Sequence, residues 1–409
     1  MGDFGYQLGM MYLGETKTGG YRGLLSYGLI VMTLTHTLTH AFQQMHSALY
    51  PVLQVEFALT NQQVGLISSI PSLAAAILSI PSGMATDKFG TKKVILFSSV
   101  VAAAGALTAG FAQNQWMFIL AVSFLFVSTT FYHPASYSFT SFLFEPRDRS
   151  KAMGIHGGGG TLGMALGPIS ISILVGLLAF GWRQVYLAWV VPLVISALMV
   201  YYIKYIPTQD VEVKSGDGKP TGQAEKLLSA SLLMFLAFGA LRTVASTMTI
   251  TFLSLWLVNT RGLNLALASL VFGASSLMGI VAAPIGGVLA SKYGEKRWIV
   301  YTLVVAYTCF ALAFLIPSIW AFAVFYLGYG FFNLLGMAAN SAITAKLSPS
   351  RQRGMGFALY FLPGSIMGAF APMIAAFIAD SFGIFNVFMA SVGVFAMAWV
   401  LFRFGVKVD

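Results

Sequence analysis

Apolar residues along this chain come in runs of about 20 or more, each closed by a short polar stretch, and not in the alternation of a half-buried strand. A helix that crosses a bilayer needs about 20 such residues. The pattern predicts twelve spanning helices over residues 24–50, 62–84, 93–112, 116–142, 152–178, 184–205, 227–258, 265–290, 297–316, 318–345, 353–379 and 384–403. The one long polar interruption runs from Pro207 to Glu225 and contains Gln209, Asp210, Glu212, Lys214, Gly216, Asp217, Gly218 and Lys219. It predicts a flexible linker over 207–226 between two six-helix bundles, 24–206 and 227–404, with tails at 1–23 and 405–409. The expected class is an all-α membrane protein.

Two polar closures repeat one another 204 residues apart. Gly83-Met84-Ala85-Thr86-Asp87-Lys88-Phe89-Gly90-Thr91-Lys92-Lys93 is matched by Gly287-Val288-Leu289-Ala290-Ser291-Lys292-Tyr293-Gly294-Glu295-Lys296-Arg297. A repeat at half the chain length points to two copies of one membrane unit. The first copy resembles the G-x-x-x-D-[RK]-x-G-x-[RK]-[RK] loop of the major facilitator superfamily of transporters. That resemblance implies a cytoplasmic gating loop after the second helix, with Gly83, Asp87, Lys88 and Gly90 as its parts. The second copy carries Ser291 where the first has Asp87.

Composition agrees with the pattern: 57% of residues are hydrophobic and 9% charged, against about 25% charged in soluble domains. The net charge of +10 could suggest a nucleic-acid partner, but its placement points to topology. Twenty of the 23 Lys and Arg residues fall in the tails, the linker or alternate loops, and only Arg183 and Arg261 fall in the others. By the positive-inside rule both termini are cytoplasmic, and the basic face meets anionic lipid. No apolar stretch opens the first 23 residues, so no cleaved leader is expected. The single Cys309 excludes an internal disulfide. The expected location is the cell membrane, multi-pass, as a monomer with no cofactor.

The twenty-third basic residue is Arg242, about 22 Å along the seventh segment at 1.5 Å per residue, hence near mid-bilayer. The sequence puts no Asp or Glu at that depth; Glu56 and Asp380 fall at outer helix ends. A mid-membrane cation marks a site. Either Arg242 binds an anionic group of a substrate, or it is a structural arginine bonded to helix carbonyls and water. Polar residues at helical spacing form stripes on four segments: Thr33, His36, His40, Gln43, Gln44 and Ser47; Thr129, His133, Ser136 and Thr140; Arg242, Ser246 and Thr249, continuing to Trp256; and Tyr326, Asn333, Asn340 and Thr344. Polar side chains are costly against lipid, so these faces should meet protein or water. Some hydroxyls could instead bond back to their own helix. These are the first, fourth, seventh and tenth segments, which the superfamily resemblance makes cavity helices.

All five histidines, His36, His40, His46, His133 and His156, fall in the first bundle. With no acid in the membrane, His40 and His133 are the candidate proton carriers. His36 and His40 could hold zinc, but the sequence offers no third ligand, so no metal site is expected. The fifth segment, Gly154 to Pro168, fits the G-x8-G-x3-G-P pattern of drug–proton antiporters, with Gly163, Gly167 and Pro168 as gating positions. Phe131-Tyr132-His133-Pro134, the run His40 to Val52 and Leu241-Arg242…Thr251-Phe252-Leu253 resemble the fosmidomycin-resistance branch, which makes His40, His133 and Arg242 cavity residues; Tyr132 is a further candidate for the cavity. Gln44 stands where that branch has an acid. No constellation suggests an enzyme. The expected function is export of a small organic anion or drug, phosphonate- or carboxylate-like, by alternating access with proton coupling. The alternatives are an organic-anion importer and a potential-driven facilitator.

Overall fold

The computed structural model describes residues 26–144, 146–203, 229–347 and 353–408, with the backbone alone at 146, 147, 150, 345 and 353–361. The expected tail 1–23 and linker 207–226 lie outside the described residues. What is described is helical, in the order α1 (Tyr27–Ala48), α2 (Tyr50–Glu56), α3 (Asn61–Phe89), α4 (Thr91–Gly110), α5 (Gln115–Phe142), α6 (Pro146–Gly176) and α7 (Trp182–Tyr201). The second half follows as α8 (Ala230–Leu255), α9 (Leu265–Tyr293), α10 (Glu295–Leu315), α11 (Ile319–Leu334), α12 (Met337–Leu347), α13 (Arg353–Phe382) and α14 (Ile384–Gly405). Among the described residues, eleven helices are long and apolar enough to cross a membrane. The exception is α1, whose 22 residues include the polar stripe and, with His46 beside it, three histidines.

The repeat extends far beyond its signature. α3 and α9 are both 29 residues long and start 204 residues apart, and α10 starts 204 residues after α4. Each long helix begins on a side-chain cap, Thr60 or Asn264. Each ends at a glycine of positive φ, Gly90 at 84° and Gly294 at 86°. The ammonium of Lys88 lies 5.4 Å from the Phe89 ring, and that of Lys292 lies 5.4 Å from the Tyr293 ring. The signature is therefore mostly helix: α3 runs to Phe89, five residues past the expected end, because the chain can only turn at Gly90.

Three other segments differ from expectation. The first breaks at Leu49 into α1 and α2, with Pro51 in the first turn of α2. The seventh ends in a π turn, Trp256–Thr260. The tenth is two helices, α11 and α12, parted at Leu335–Gly336.

Glycines set the closest approaches. A Cβ on Gly159 would lie 2.7 Å from the Thr33 carbonyl oxygen, and on Gly163 or Gly167 it would overlap the carbonyls of Thr37 or Ala41. So α6 lies directly on α1, and Thr37 Oγ1 donates to the Gly159 carbonyl at 2.9 Å. The halves meet through α6 on α9 and α3 on α13. Gly273 packs on Ala165, Pro168 and Ile169, Gly279 on Thr161, and Gly65 on Pro372, Met373 and Ala376.

That contact occupies one end of the molecule. There Asn61 Nδ2 donates to Asp380 Oδ1 at 2.8 Å and Asn259 Nδ2 to Gln54 Oε1 at 3.1 Å across the two halves. The two arginines of this end act as staples. Arg183 joins Glu56 to the Ala112 carbonyl, and Arg261 donates to the carbonyls of Ile316 and Pro317. Toward the end that carries Asp87, the face of α6 that holds Ile169, Ala165 and Thr161 against α9 continues to Gly158 and Gly154. Neither would bring a Cβ within 4 Å of anything. The halves part there.

Gly167→Ala is expected to cost about 1–3 kcal/mol by overpacking α6 on α1. Gly158→Ala is expected to be neutral or stabilising, since alanine is about 0.5–1 kcal/mol better than glycine in a helix. Apparent melting temperatures in detergent check both, and an equal shift for the two would contradict the packing described.

Candidate functional site

Among the described residues, the C-terminal half contributes one cation at mid-helix. Arg242 sits midway along α8, half-buried. Its Nη2 donates to Asn333 Oδ1 at 2.8 Å, and its guanidinium lies 5.3 Å from the centre of the Phe238 ring. Asn333 is the penultimate residue of α11, just before the helix parts at Leu335–Gly336. Ser246, one turn along α8, and Tyr329, one turn before Asn333 on α11, are both half-buried. Tyr329 was absent from the sequence reading, although it precedes Asn333 by four residues and so shares its face.

Other members of the C-terminal stripes are structural. Trp256 is 2% exposed among Phe314, Phe322 and Phe388. Tyr326 is buried and stacked on Phe322. Thr249 and Thr344 bond back to the carbonyls of Ala245 and Asn340. Asn340 is half-buried, with no partner for its Oδ1 among the described residues.

The N-terminal half gathers its histidines. His36 and His40 come from α1 and His133 from α5, where Pro134 follows it. Their Nε2 atoms form a triangle: His40 to His36 at 3.1 Å, His40 to His133 at 3.1 Å and His36 to His133 at 3.3 Å. His36 Nδ1 lies 2.7 Å from the His156 carbonyl oxygen. A carbonyl only accepts, so Nδ1 carries the proton and neutral His36 presents a bare Nε2 to the cluster. The His156 ring stacks on His36 at 4.2 Å, buried, with neither nitrogen hydrogen-bonded among the described residues. Gly160 makes the room, since a Cβ there would lie 2.7 Å from His36 Cε1 and 3.0 Å from His40 Cδ2.

The third nitrogen that the sequence could not offer is therefore His133. The two candidate proton carriers, His40 and His133, lie side by side in one cluster. Tyr132, expected in the cavity, is instead buried between helices, its hydroxyl 2.7 Å from Thr35 Oγ1 and 2.9 Å from the Met32 carbonyl oxygen. Gln43 and Gln44 are half-buried, one turn from Ser47, whose carbonyl accepts from Ser254 of α8. His46 lies apart from the cluster, its Nδ1 on the Gln43 carbonyl.

A profile of the Major Facilitator Superfamily matches residues 32–243 and 235–409. The chain belongs to this superfamily. It is a multi-pass membrane transporter and not an enzyme. The facilitator is 25% identical over 362 residues to the fosmidomycin resistance protein of Escherichia coli (strain K12), covering 87% of each chain. It is 24% identical over 360 residues to a probable nitrate transporter of Staphylococcus epidermidis, covering 86% of this chain and 89% of the relative. Its fold is similar to that of a bacterial homolog of the human lysosomal transporter Spinster, crystallised in an inward-facing and occupied conformation. The TM-score is 0.81 and the identity 17%, over 94% of this chain and 97% of the other.

In the facilitator the expected gating residues fall into two groups. Gly163, Gly167 and Pro168 are buried in the α1–α6–α9 packing. Gly83, Asp87, Lys88 and Gly90 lie at the parted end, where Asp87 is exposed and engages no described residue. An acid held out of contact at the open end is available when that end closes. Asp87→Asn is expected to slow transport several-fold with ligand affinity kept, and Ser291→Ala to slow it less. Counterflow rates in proteoliposomes test this, and a wild-type rate for Asp87→Asn would refute it.

Proposed function

We propose that this facilitator crosses the cell membrane twelve times, with α1 as the polar crossing and both termini cytoplasmic, and that it exports a small organic anion by alternating access. The observation that carries the reading is Arg242. A half-buried guanidinium midway along a membrane helix, held by a neutral amide at a break in the facing helix, suits an anionic oxygen. Broken helices at mid-membrane recur at transporter binding sites because unwound backbone can meet a ligand there. Asn333, Ser246 and Tyr329 would orient the anion, while Gln43 and Gln44 would face it from the other half.

Similarity to a fosmidomycin resistance protein and to a probable nitrate transporter supports an anionic substrate. The first of these supports export. With the basic end cytoplasmic, the parted end faces inward, as loading for export requires. An outward-moving anion also gains about 2.3 kcal/mol per charge per 100 mV from the membrane potential. A monomer suffices, since both halves of the cavity come from one chain.

Isothermal titration of the purified protein with fosmidomycin and with nitrate tests the reading. Losing a hydrogen bond to a charged group costs about 1.5–3 kcal/mol, so Arg242→Ala is expected to weaken anion binding about 10–100-fold. Arg242→Lys should fall between, because the charge survives and the planar fork does not. Unchanged affinity in Arg242→Ala, with a wild-type melting profile, would sink the anion reading.

A further inference from the structure

We propose that His36, His40 and His133 form a binding site for a divalent transition-metal ion of the Zn2+ class. The inference goes beyond the anion reading and does not rest on it. Three observations carry it.

The first is frustration in the cluster. Three nitrogens that are mutually 3.1–3.3 Å apart cannot all hydrogen-bond. In a ring of three partners, donors and acceptors cannot alternate. Any placement of the ring protons leaves at least one pair facing lone pair to lone pair or N–H to N–H. A single cation at the common point removes the conflict, since each nitrogen then directs a lone pair at it.

The second is dimension. Nitrogens on a triangle of this size lie about 1.8 Å from its centre, so a metal at about 2.0–2.1 Å from each would sit roughly 0.9 Å above the plane. Three tetrahedral ligands at that bond length are about 3.3 Å apart, close to what the rings show. The ligand atoms of all three residues lie within 4.8 Å of one another. The fourth tetrahedral position is left to water or to an anionic oxygen.

The third is orientation. His36 Nδ1 donates to the His156 carbonyl oxygen, the outer hydrogen bond that fixes the tautomer and ring plane of a metal-binding histidine. Gly160 leaves space for the His36 and His40 rings to converge. Imidazole nitrogens with no thiolate or carboxylate suit zinc, copper, nickel or cobalt and disfavour magnesium or calcium.

The test is a titration of the untagged protein with Zn2+ alone, in a Cys309→Ser background, with no organic anion present. One Zn2+ per chain is expected to bind at micromolar Kd or tighter, and Mg2+ is not expected to compete. His36→Gln, His40→Gln and His133→Gln are each expected to weaken binding by about 100-fold or more, beyond the 10–100-fold typical of losing an outer hydrogen-bond partner. Should these variants fail to fold, Co2+ added to the parent protein gives a second reading. Intense visible bands of tetrahedral cobalt support the site, and the weak spectrum of octahedral cobalt overturns it. No stoichiometric Zn2+ binding, or undiminished binding in the triple variant, would overturn it equally.

Discussion

The structure depends first on how closely α6 lies against α1. Gly159, Gly163 and Gly167 bring the backbone of α6 against the carbonyls of Thr33, Thr37 and Ala41. Lipid provides no hydrophobic drive between helices, so packing and interhelical hydrogen bonds must hold the pair. Gly160, on the same helix, is what the His36 and His40 rings pack over, and the His156 carbonyl fixes His36 from the next turn. A single glycine-rich helix thus sets the shape of the N-terminal half and the geometry of its polar cluster. The same helix then meets α9 of the other half through Thr161 and Ala165.

Two halves related by a repeat can rock only if contacts at their ends are exchangeable. The sealed end is held by single polar pairs, Asn61 with Asp380 and Gln54 with Asn259, beside small-residue contacts. The amide pair is worth about 0.5–1.5 kcal/mol net and the pair on the Asp380 carboxylate about 3 kcal/mol at most, little enough to be traded for contacts at the opposite end. The rigid parts sit elsewhere. Arg183 and Arg261 are tied within their own halves, and the aromatic core around Trp256 stays inside the second half. Strength within each bundle and modest bonding between them is the arrangement that alternating access needs.

Much of this was legible in the sequence. Apolar run length marked eleven long apolar helices among the described residues, because the bilayer fixes how long a helix must be, and the repeat at Gly83 and Gly287 marked the matching pairs α3 with α9 and α4 with α10. Arg242 stood out because a charge at that depth is rare. What the sequence hid is contact between residues remote along the chain. His36 and His133 are 97 residues apart, and a polar stripe does not say which members converge. Tyr132 and His133 are neighbours, yet the tyrosine turns into the helix contact and the histidine into the cluster, a choice set by where α1 and α6 pack. The break between α11 and α12 carried only Gly336 as a sign, with no proline to mark it. The glycines of α6 read as a family pattern, and their physical role appeared only with α1 beside them.

The central claim, that a bound anion shifts two rocking halves, is tested most directly by the distance between their open ends. Met84 and Val288 occupy equivalent positions of the repeat and are both exposed, at 66% and 70%. Spin labels on Met84→Cys and Val288→Cys, in a Cys309→Ser background, report that distance by pulsed electron resonance. Alternating access predicts that an anion shown by calorimetry to bind adds a population of shorter distance, and that a label pair on Val55→Cys and Trp320→Cys at the sealed end lengthens in parallel. A single distance at each end, unchanged by a bound anion, would contradict it.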